Sequence, residues 1–333
     1  MKKGIFYMLL AAVLFSSMEI ALKMTGTSYQ PLQLNALRFL IGGIILLPLA
    51  HRQNRDLPRR LPLWEYAFYG LTGFICLVLS MTVYLLSIRY TDASTVAVIF
   101  SCNAFFAVLF SAAFLRQPVS RPTALGLVIA FTGLFILMDP FHMGGDATGI
   151  LLAIGSAVLF ALYAVLVKVG QGRSAYHGLI PTAYTFLLGT AELLVLMGLT
   201  HTTPVAAFLT RIGLDAFAKV PFFAGISLTG LPLLLYISIF VTGLGFAAYG
   251  LAIEYGSVTV ASITFLIKPV LAPILCYLIL GEGQTLSAVL GIFIVAVGSL
   301  AITLESFKAG RSASRSRAGL PERGAVGNKP IAF

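Results

Sequence analysis

Charge is what this sequence has least of. Only 10% of its 333 residues are Asp, Glu, Lys or Arg, where a water-soluble domain carries about 25%. So few charges cannot cover a water-facing surface, which excludes an ordinary soluble fold. Cysteine is also scarce. Cys76, Cys102 and Cys276 each lie inside an apolar run and none forms a C-x-x-C pair, so neither a disulfide framework nor a thiolate metal site is expected. The four histidines, His51, His142, His177 and His201, fall at run ends or in loops, with no His/Cys/carboxylate cluster to hold a metal. No Walker motif and no strand-preceded G-x-G-x-x-G is present, so ATP drive and cofactors are not expected. No set of catalytic groups gathers at one depth, which argues against an enzyme. The net charge of +10 has basic residues between or beyond the apolar runs, as topology-setting charge does, so nucleic acid is not an expected partner.

What the chain has is apolar length: 59% hydrophobic residues and a mean hydropathy of +0.96. A membrane-crossing helix needs roughly 20 apolar residues. Ten stretches qualify: 4–22, 33–50, 66–88, 93–115, 121–138, 148–169, 179–199, 229–253, 259–280 and 286–304. Their continuity excludes the ten-residue alternating strands of a membrane barrel. The start, Met1-Lys2-Lys3 and then apolar residues, reads as a retained first helix, since no convincing small-residue cleavage site follows. Lys and Arg in short loops mark the cytoplasmic side. With the N-terminus inside, sixteen lie on the inner side and four, Lys23, Arg89, Arg211 and Lys219, on the outer side. The expectation is a multi-pass inner (plasma) membrane protein with both termini cytoplasmic. Residues 208–219 in the long outer loop have helical apolar spacing, consistent with a helix lying flat on the membrane or with a packed loop. The segment 306–333 reads as a disordered basic cytoplasmic tail.

The two halves resemble one another. Ala12-Val13-Leu14-Phe15 matches Ala157-Val158-Leu159-Phe160 at an offset of 145, which also places Lys23 on Lys168. At an offset of 165, Tyr84 falls on Tyr249, Tyr90 on Tyr255, Phe100 on Phe265, Gly126 on Gly291 and Gly133 on Gly298. From 84 to 137 the match is gap-free, with 11 identities in 54 positions. Five spans per half is an odd number, so the second half is inverted, as in many secondary carriers. The expected fold is an all-α integral membrane protein of ten transmembrane helices in two inverted five-helix repeats, residues 1–140 and 148–305. The paired glycines read as helix-packing positions.

Several motifs resemble the drug/metabolite transporter superfamily in its ten-span EamA-type branch, over roughly residues 4–304. Pro31 with Ala36-Leu37-Arg38-Phe39 resembles the opening of that family's second helix. Thr242-Gly243 and Tyr249-Gly250-Leu251-Ala252 resemble its eighth. Lys268-Pro269-Val270 with Leu280-Gly281-Glu282 resembles its ninth, and Gly291 with Gly298 its tenth. Lys268 and Gln117 stand where the family commonly has Glu. The resemblance implies transport of amino acids, metabolites, nucleotide derivatives or drugs, without naming the cargo. An alternating-access exporter of a small polar metabolite, an amino acid or related organic acid, is the favoured reading. A drug or nucleotide-derivative carrier of the same fold, a channel and a non-transporting membrane protein are the rivals. The expected partners are a small-molecule substrate and membrane lipid.

Ionisable groups inside a bilayer cost on the order of 2.5–3.5 kcal/mol, so they face a cavity or a partner. Lys268, mid-way along the ninth span, is expected to line a central cavity and attract an anionic group, or to pair with Glu19. Glu19 has three roles open to it: neutralising Lys268, pairing with Arg38, or taking up a proton in a coupled cycle. Arg38 and Glu192, in the outer thirds of their spans, are gating or pairing candidates, with outward anchoring the alternative for Arg38. Asn103 is the repeat counterpart of Lys268. It joins Tyr84 and Tyr249 as a substrate-binding candidate, in a cavity lined by the first, third, fourth, sixth, eighth and ninth spans. Pro269 and Pro273 are expected to break the ninth helix near its centre and act as a hinge.

Overall fold

A computed structural model describes residues 2–25, 29–58, 60–90, 93–116, 119–138, 147–214, 217–280 and 286–318. Among them the regular structure is helical, without strands. The helices are α1 (Lys2–Ser16), α2 (Met18–Thr25), α3 (Pro31–Gln53), α4 (Leu63–Gly73), α5 (Thr82–Tyr90), α6 (Ala93–Ser101), α7 (Asn103–Leu115), α8 (Arg121–Met138), α9 (Ala147–Arg173), α10 (Ile180–Thr200), α11 (Thr203–Arg211), α12 (Leu231–Leu235), α13 (Gly245–Tyr255), α14 (Val258–Leu280) and α15 (Leu286–Ala318). Two π-helical stretches, Phe74–Met81 and Tyr236–Leu244, join α4 to α5 and α12 to α13.

Six helices, each 20 to 27 residues long, are apolar enough to cross a membrane. At 1.5 Å per residue such lengths match a hydrocarbon core about 30 Å thick. Arg121–Ile136, Val258–Ala272 and Val289–Glu305 are shorter apolar helices. Large side chains such as Phe6, Val128, Leu151, Val195 and Phe293 point outward. A helix apolar all round belongs in lipid, where no polar outer face is required. Ser17 separates α1 from α2, yet its amide still bonds Val13 O and its carbonyl accepts from Ala21, so the two form one rod.

Lipid tails are as apolar as leucine, so helices associate through close packing at small residues. The antiparallel contact of α8 with α15 is built this way. A Cβ placed on Gly298 would lie 2.6 Å from Gly126 O, and one on Gly133 would lie 2.9 Å from Gly291 O. The four glycines expected as packing positions thus face each other in two crossed pairs. Gly73 of α4 meets Gly189 of α10 in the same manner, with a Cβ on either meeting the other's backbone at 2.7–2.8 Å.

Three local expectations change. The loop helix spans Thr203–Arg211 rather than 208–219, because Pro204 in its first turn and Gly213 in the left-handed region (φ 76°) set its ends. α14 is continuous from Val258 to Leu280, so Pro269 and Pro273 do not break it. Losing one amide donor does not end a helix that its neighbours hold in place. α15 continues to Ala318, into the segment read as a tail.

Gly298→Leu is expected to destabilise the fold by roughly 1–3 kcal/mol through overpacking. The check is the apparent melting temperature in detergent. Gly155→Ala, which meets nothing within 4 Å, is the control and leaves melting unchanged.

Candidate functional site

Aromatic rings fill the centre of the bundle. Phe160 of α9 is the hub, with ring centres 5.1 Å from Phe265, 5.2 Å from Phe100 and 5.7 Å from Tyr249. Phe15 of α1 lies 5.1 Å from Phe246 and 5.7 Å from Phe265. Phe39 of α3 and Phe186 of α10 are 4.7 Å apart and both touch Phe246. Such pairs add about 0.5–1.5 kcal/mol each beyond their buried area. Two of them share one geometry. Tyr84 meets Phe100 at 5.1 Å and 74°, and Tyr249 meets Phe265 at 5.5 Å and 72°. The residues of one pair lie 165 positions from those of the other.

Several buried polar atoms of the bundle lack partners. The Tyr249 hydroxyl and Asn103 Oδ1 are buried with no hydrogen bond, as are Thr242 Oγ1 and Ser111 Oγ. Each unsatisfied buried group costs about 1–3 kcal/mol. Asn103 is held by its other end, since Nδ2 donates to Phe100 O at 2.7 Å. That carbonyl lies beside Cys102, where α6 gives way to α7. Lys268 is 7% exposed and engaged by a neighbour.

The first π-helical stretch faces α3. Asn35 Nδ2 approaches Leu77 O at 3.5 Å, and Asn35 Oδ1 accepts from Arg38 Nε at 3.1 Å and Nη2 at 2.8 Å. Arg38 is only 4% exposed, so it does not reach outward to headgroups. A π-helical turn sets the following side chains out of α-helical phase and is common at functional sites. Here it carries Cys76 and Met81 to Arg38 and Ser80 to α9. Ser80 and Ser156 donate to each other's carbonyls at 3.0 and 2.9 Å.

At the end of the bundle that holds Lys3, the helices also close. A Cβ on Gly4 would meet Gly256 N at 2.9 Å. Tyr7 stacks on Tyr255, and Lys3 Nζ lies over the Tyr255 ring. Lys168 Nζ caps the end of α13 by donating to Ile253 O at 2.7 Å, where a cation complements the helix C-terminus. Gly178 N donates to Glu254 Oε2 at 2.8 Å. Glu65 is buried in the first turn of α4 and accepts from Ser174 Oγ at 2.7 Å.

One family model, that of the EamA-like transporter family, matches the chain twice, over residues 2–139 and 147–304. The chain belongs to the EamA-like transporter family. An uncharacterized transporter of Clostridium kluyveri is 33% identical over 308 residues, 90% of this chain and 93% of its own. One from Bacillus subtilis is 27% identical over 85% of this chain and 86% of its own. Mouse solute carrier family 35 member F3 is 29% identical over 41% of this chain and 32% of its own length. A crystal structure at 18% identity superposes with a TM-score of 0.68, covering 92% of this chain and 99% of that one, a likeness of fold alone. This EamA-family protein is therefore a multi-pass membrane protein of a transporter family, whose environment is lipid and whose partner is a small molecule. The names of its relatives are those of transporters, not enzymes.

The ring cluster brings together Tyr84 and Tyr249, the latter with its unpartnered hydroxyl. Asn103 adjoins it through Phe100, whose carbonyl it holds. The rings and Tyr84 come from the first, third, fourth, sixth, eighth and ninth expected spans, joined by Phe39 and Phe186 from the second and seventh. Where a cavity is expected, the rings are in contact. A cleft of about 670 Å3 lined by Leu47, His51, Arg52 and Arg55 opens instead at the Gln53 end of α3. Glu192 lies beside Gly70 of α4, on the α10 face that carries exposed Val195 and Leu199, apart from the ring cluster. The side chains of Glu19 and Pro273 lie outside the described residues; Pro269 is buried. Sequence reasoning missed Glu65 and both π-helical stretches.

Tyr249→Phe removes an unpartnered hydroxyl from a tightly packed site. It is expected to raise stability by up to about 1–3 kcal/mol, measured by thermal unfolding. A destabilised variant would mean that the hydroxyl has a partner.

Proposed function

We propose that this EamA-family protein is a secondary carrier of ten spans, arranged as two inverted five-helix repeats at residues 1–140 and 148–305. It exports a small polar metabolite, an amino acid or related organic acid, by alternating access. The observation that carries this reading is a two-fold relation between the halves. Tyr84–Phe100 and Tyr249–Phe265 repeat one geometry. The crossed contacts Gly126–Gly298 and Gly133–Gly291 exchange into each other when the halves are swapped. Both π-helical stretches occupy the same place in the repeat, since 74–81 shifted by 165 overlaps 236–244. The double family match supports the same division. Six long helices, three shorter apolar ones and the α1–α2 rod supply the ten spans.

Two like halves in opposite orientation exchange conformations, and that exchange opens the centre to one side and then the other. The ring-filled centre, closed at Gly4–Gly256 and at Ser80–Ser156, fits the cargo-free occluded form. Lys268 attracts the anionic group of the cargo, while Asn103 and Tyr249 supply hydrogen bonds to it. Tyr84 lines the same site. The π-helical stretches, rather than Pro269 and Pro273, serve as the flexible points. Glu192 pairs or gates at the bundle edge, and Glu19 is the proton-coupling candidate. The bias of Lys and Arg supports cytoplasmic positions for both termini.

The test is counterflow in proteoliposomes with a panel of amino and organic acids. Exchange of at least one is expected; a panel with no exchange removes the cargo claim. Lys268→Gln is expected to fold and to slow exchange about tenfold or more, the worth of one hydrogen bond to a charged group. Unchanged exchange in that variant excludes Lys268 from the site.

A further inference from the structure

We infer that Arg38 is a carboxylate-binding subsite opening onto the ring cluster, and that an organic carboxylate with an apolar body is the class of cargo it takes. This rests on the carrier reading and adds to Lys268 a second cationic group that recognises the anion. A guanidinium presents five N–H donors in a planar fork suited to a carboxylate. Among the described residues, Arg38 has one oxygen acceptor, Asn35 Oδ1, which takes both Nε and Nη2. Its other acceptors are thioether sulfurs: Met18 Sδ at 3.5 Å from Nη1 and Met81 Sδ at 3.6 Å from Nη2. Sulfur is a weak acceptor, and methionine is the side chain most easily moved aside. A purely structural buried arginine is surrounded by oxygen acceptors. This one is oriented along one edge by an amide and covered on its outer nitrogens by displaceable groups.

The position of the fork points the same way. The guanidinium carbon sits 4.7 Å from the centre of the Phe39 ring, and Phe39 touches Phe186 and Phe246 in the cluster. A carboxylate on Nη1 and Nη2 in place of the two sulfurs leaves the apolar body of the ligand against rings. An ammonium or neutral polar head in that place would meet like charge or lose the fork. Two helices of the first repeat, α2 and the first π-helical stretch, supply the sulfurs. Seating the carboxylate therefore moves elements that flank the closed centre.

The test uses the full-length protein in nanodiscs, with benzoate, its neutral isostere benzamide, and benzylamine as probes read by thermal shift. Benzoate is expected to stabilise the wild type, with little response to the other two. Arg38→Gln is expected to weaken benzoate binding about tenfold or more, the loss of a hydrogen bond to charge. Arg38→Lys keeps the charge, and with it the fold, but loses the fork; it too is expected to weaken benzoate about tenfold. Wild-type affinity for benzoate in Arg38→Lys, or in a folded Arg38→Gln, overturns the assignment. So does equal stabilisation of the wild type by benzamide. Counterflow in liposomes separates this inference from the carrier reading. Arg38-dependent benzoate binding without exchange of any panel compound keeps the subsite and removes the carrier. Exchange of an amine or a neutral compound with no response to benzoate does the reverse.

Discussion

Backbone contact between glycines holds this bundle in lipid. Hydrocarbon gives no reward for hiding leucine from leucine, so helices hold together where their main chains approach. The two crossed glycine pairs of α8 and α15 bring these helices so close that even a methyl group would clash. Gly73 with Gly189 fixes α4 on α10 in the same way. These seams are made by glycines and do not use the rings. They leave the middle to larger and more adaptable contacts, the aromatic rings, which can turn and re-pair at small cost because edge-to-face and offset arrangements are close in energy. The rigidity of the seams and the adaptability of the centre follow from one choice of side chains.

The polar groups obey the same constraint in reverse. In a soluble protein a stray hydroxyl finds water; here water is excluded from the lipid side and scarce at the core. Tyr249, Asn103 and Thr242 nevertheless keep atoms without partners, and two of Arg38's hydrogen bonds go to sulfur. Other buried atoms without partners lie elsewhere, on Tyr29, Gln171, Thr190 and Glu192. The capped ends are different: Lys168, Glu254 and Glu65 all have their hydrogen bonds made.

Much of this was legible in the chain. Membrane residence follows from composition, because too few charges are available for a wet surface. The halves were visible because tyrosine and glycine matches at fixed offset stand out against an interchangeable apolar background. Tyr84, Tyr249 and the four glycines were picked out on that ground, and they meet as pairs. What could not be read depends on direction rather than depth. Arg38 lies in the outer third of its span either way. Whether it reaches out or turns inward is decided by Asn35 one turn away and by two methionines from other helices. A π-helical turn inserts no unusual residue, so Phe74–Met81 reads as any apolar run. Glu65 looks like an interfacial charge until Ser174, 109 residues later, is placed against it. The prolines of α14 misled because proline removes a donor but does not dictate where a long, buried helix yields.

The backbone yields instead where the hydrogen-bond register has already slipped. A π-helical stretch holds one residue more per turn than its neighbours, so it can revert to α geometry by passing that residue along, which rotates the segment beyond it. In the third span such a rotation moves Cys76, Ser80 and Met81 together. Ser80 and Ser156 hold each other's carbonyls and Met81 covers Arg38, so on the proposed reading one local change would both uncover the guanidinium and loosen that contact. The second stretch overlaps the first at an offset of 165 and runs into α13, which carries Phe246. On the proposed carrier reading, these two stretches are where the seating of an anion at Arg38 would change which face is open.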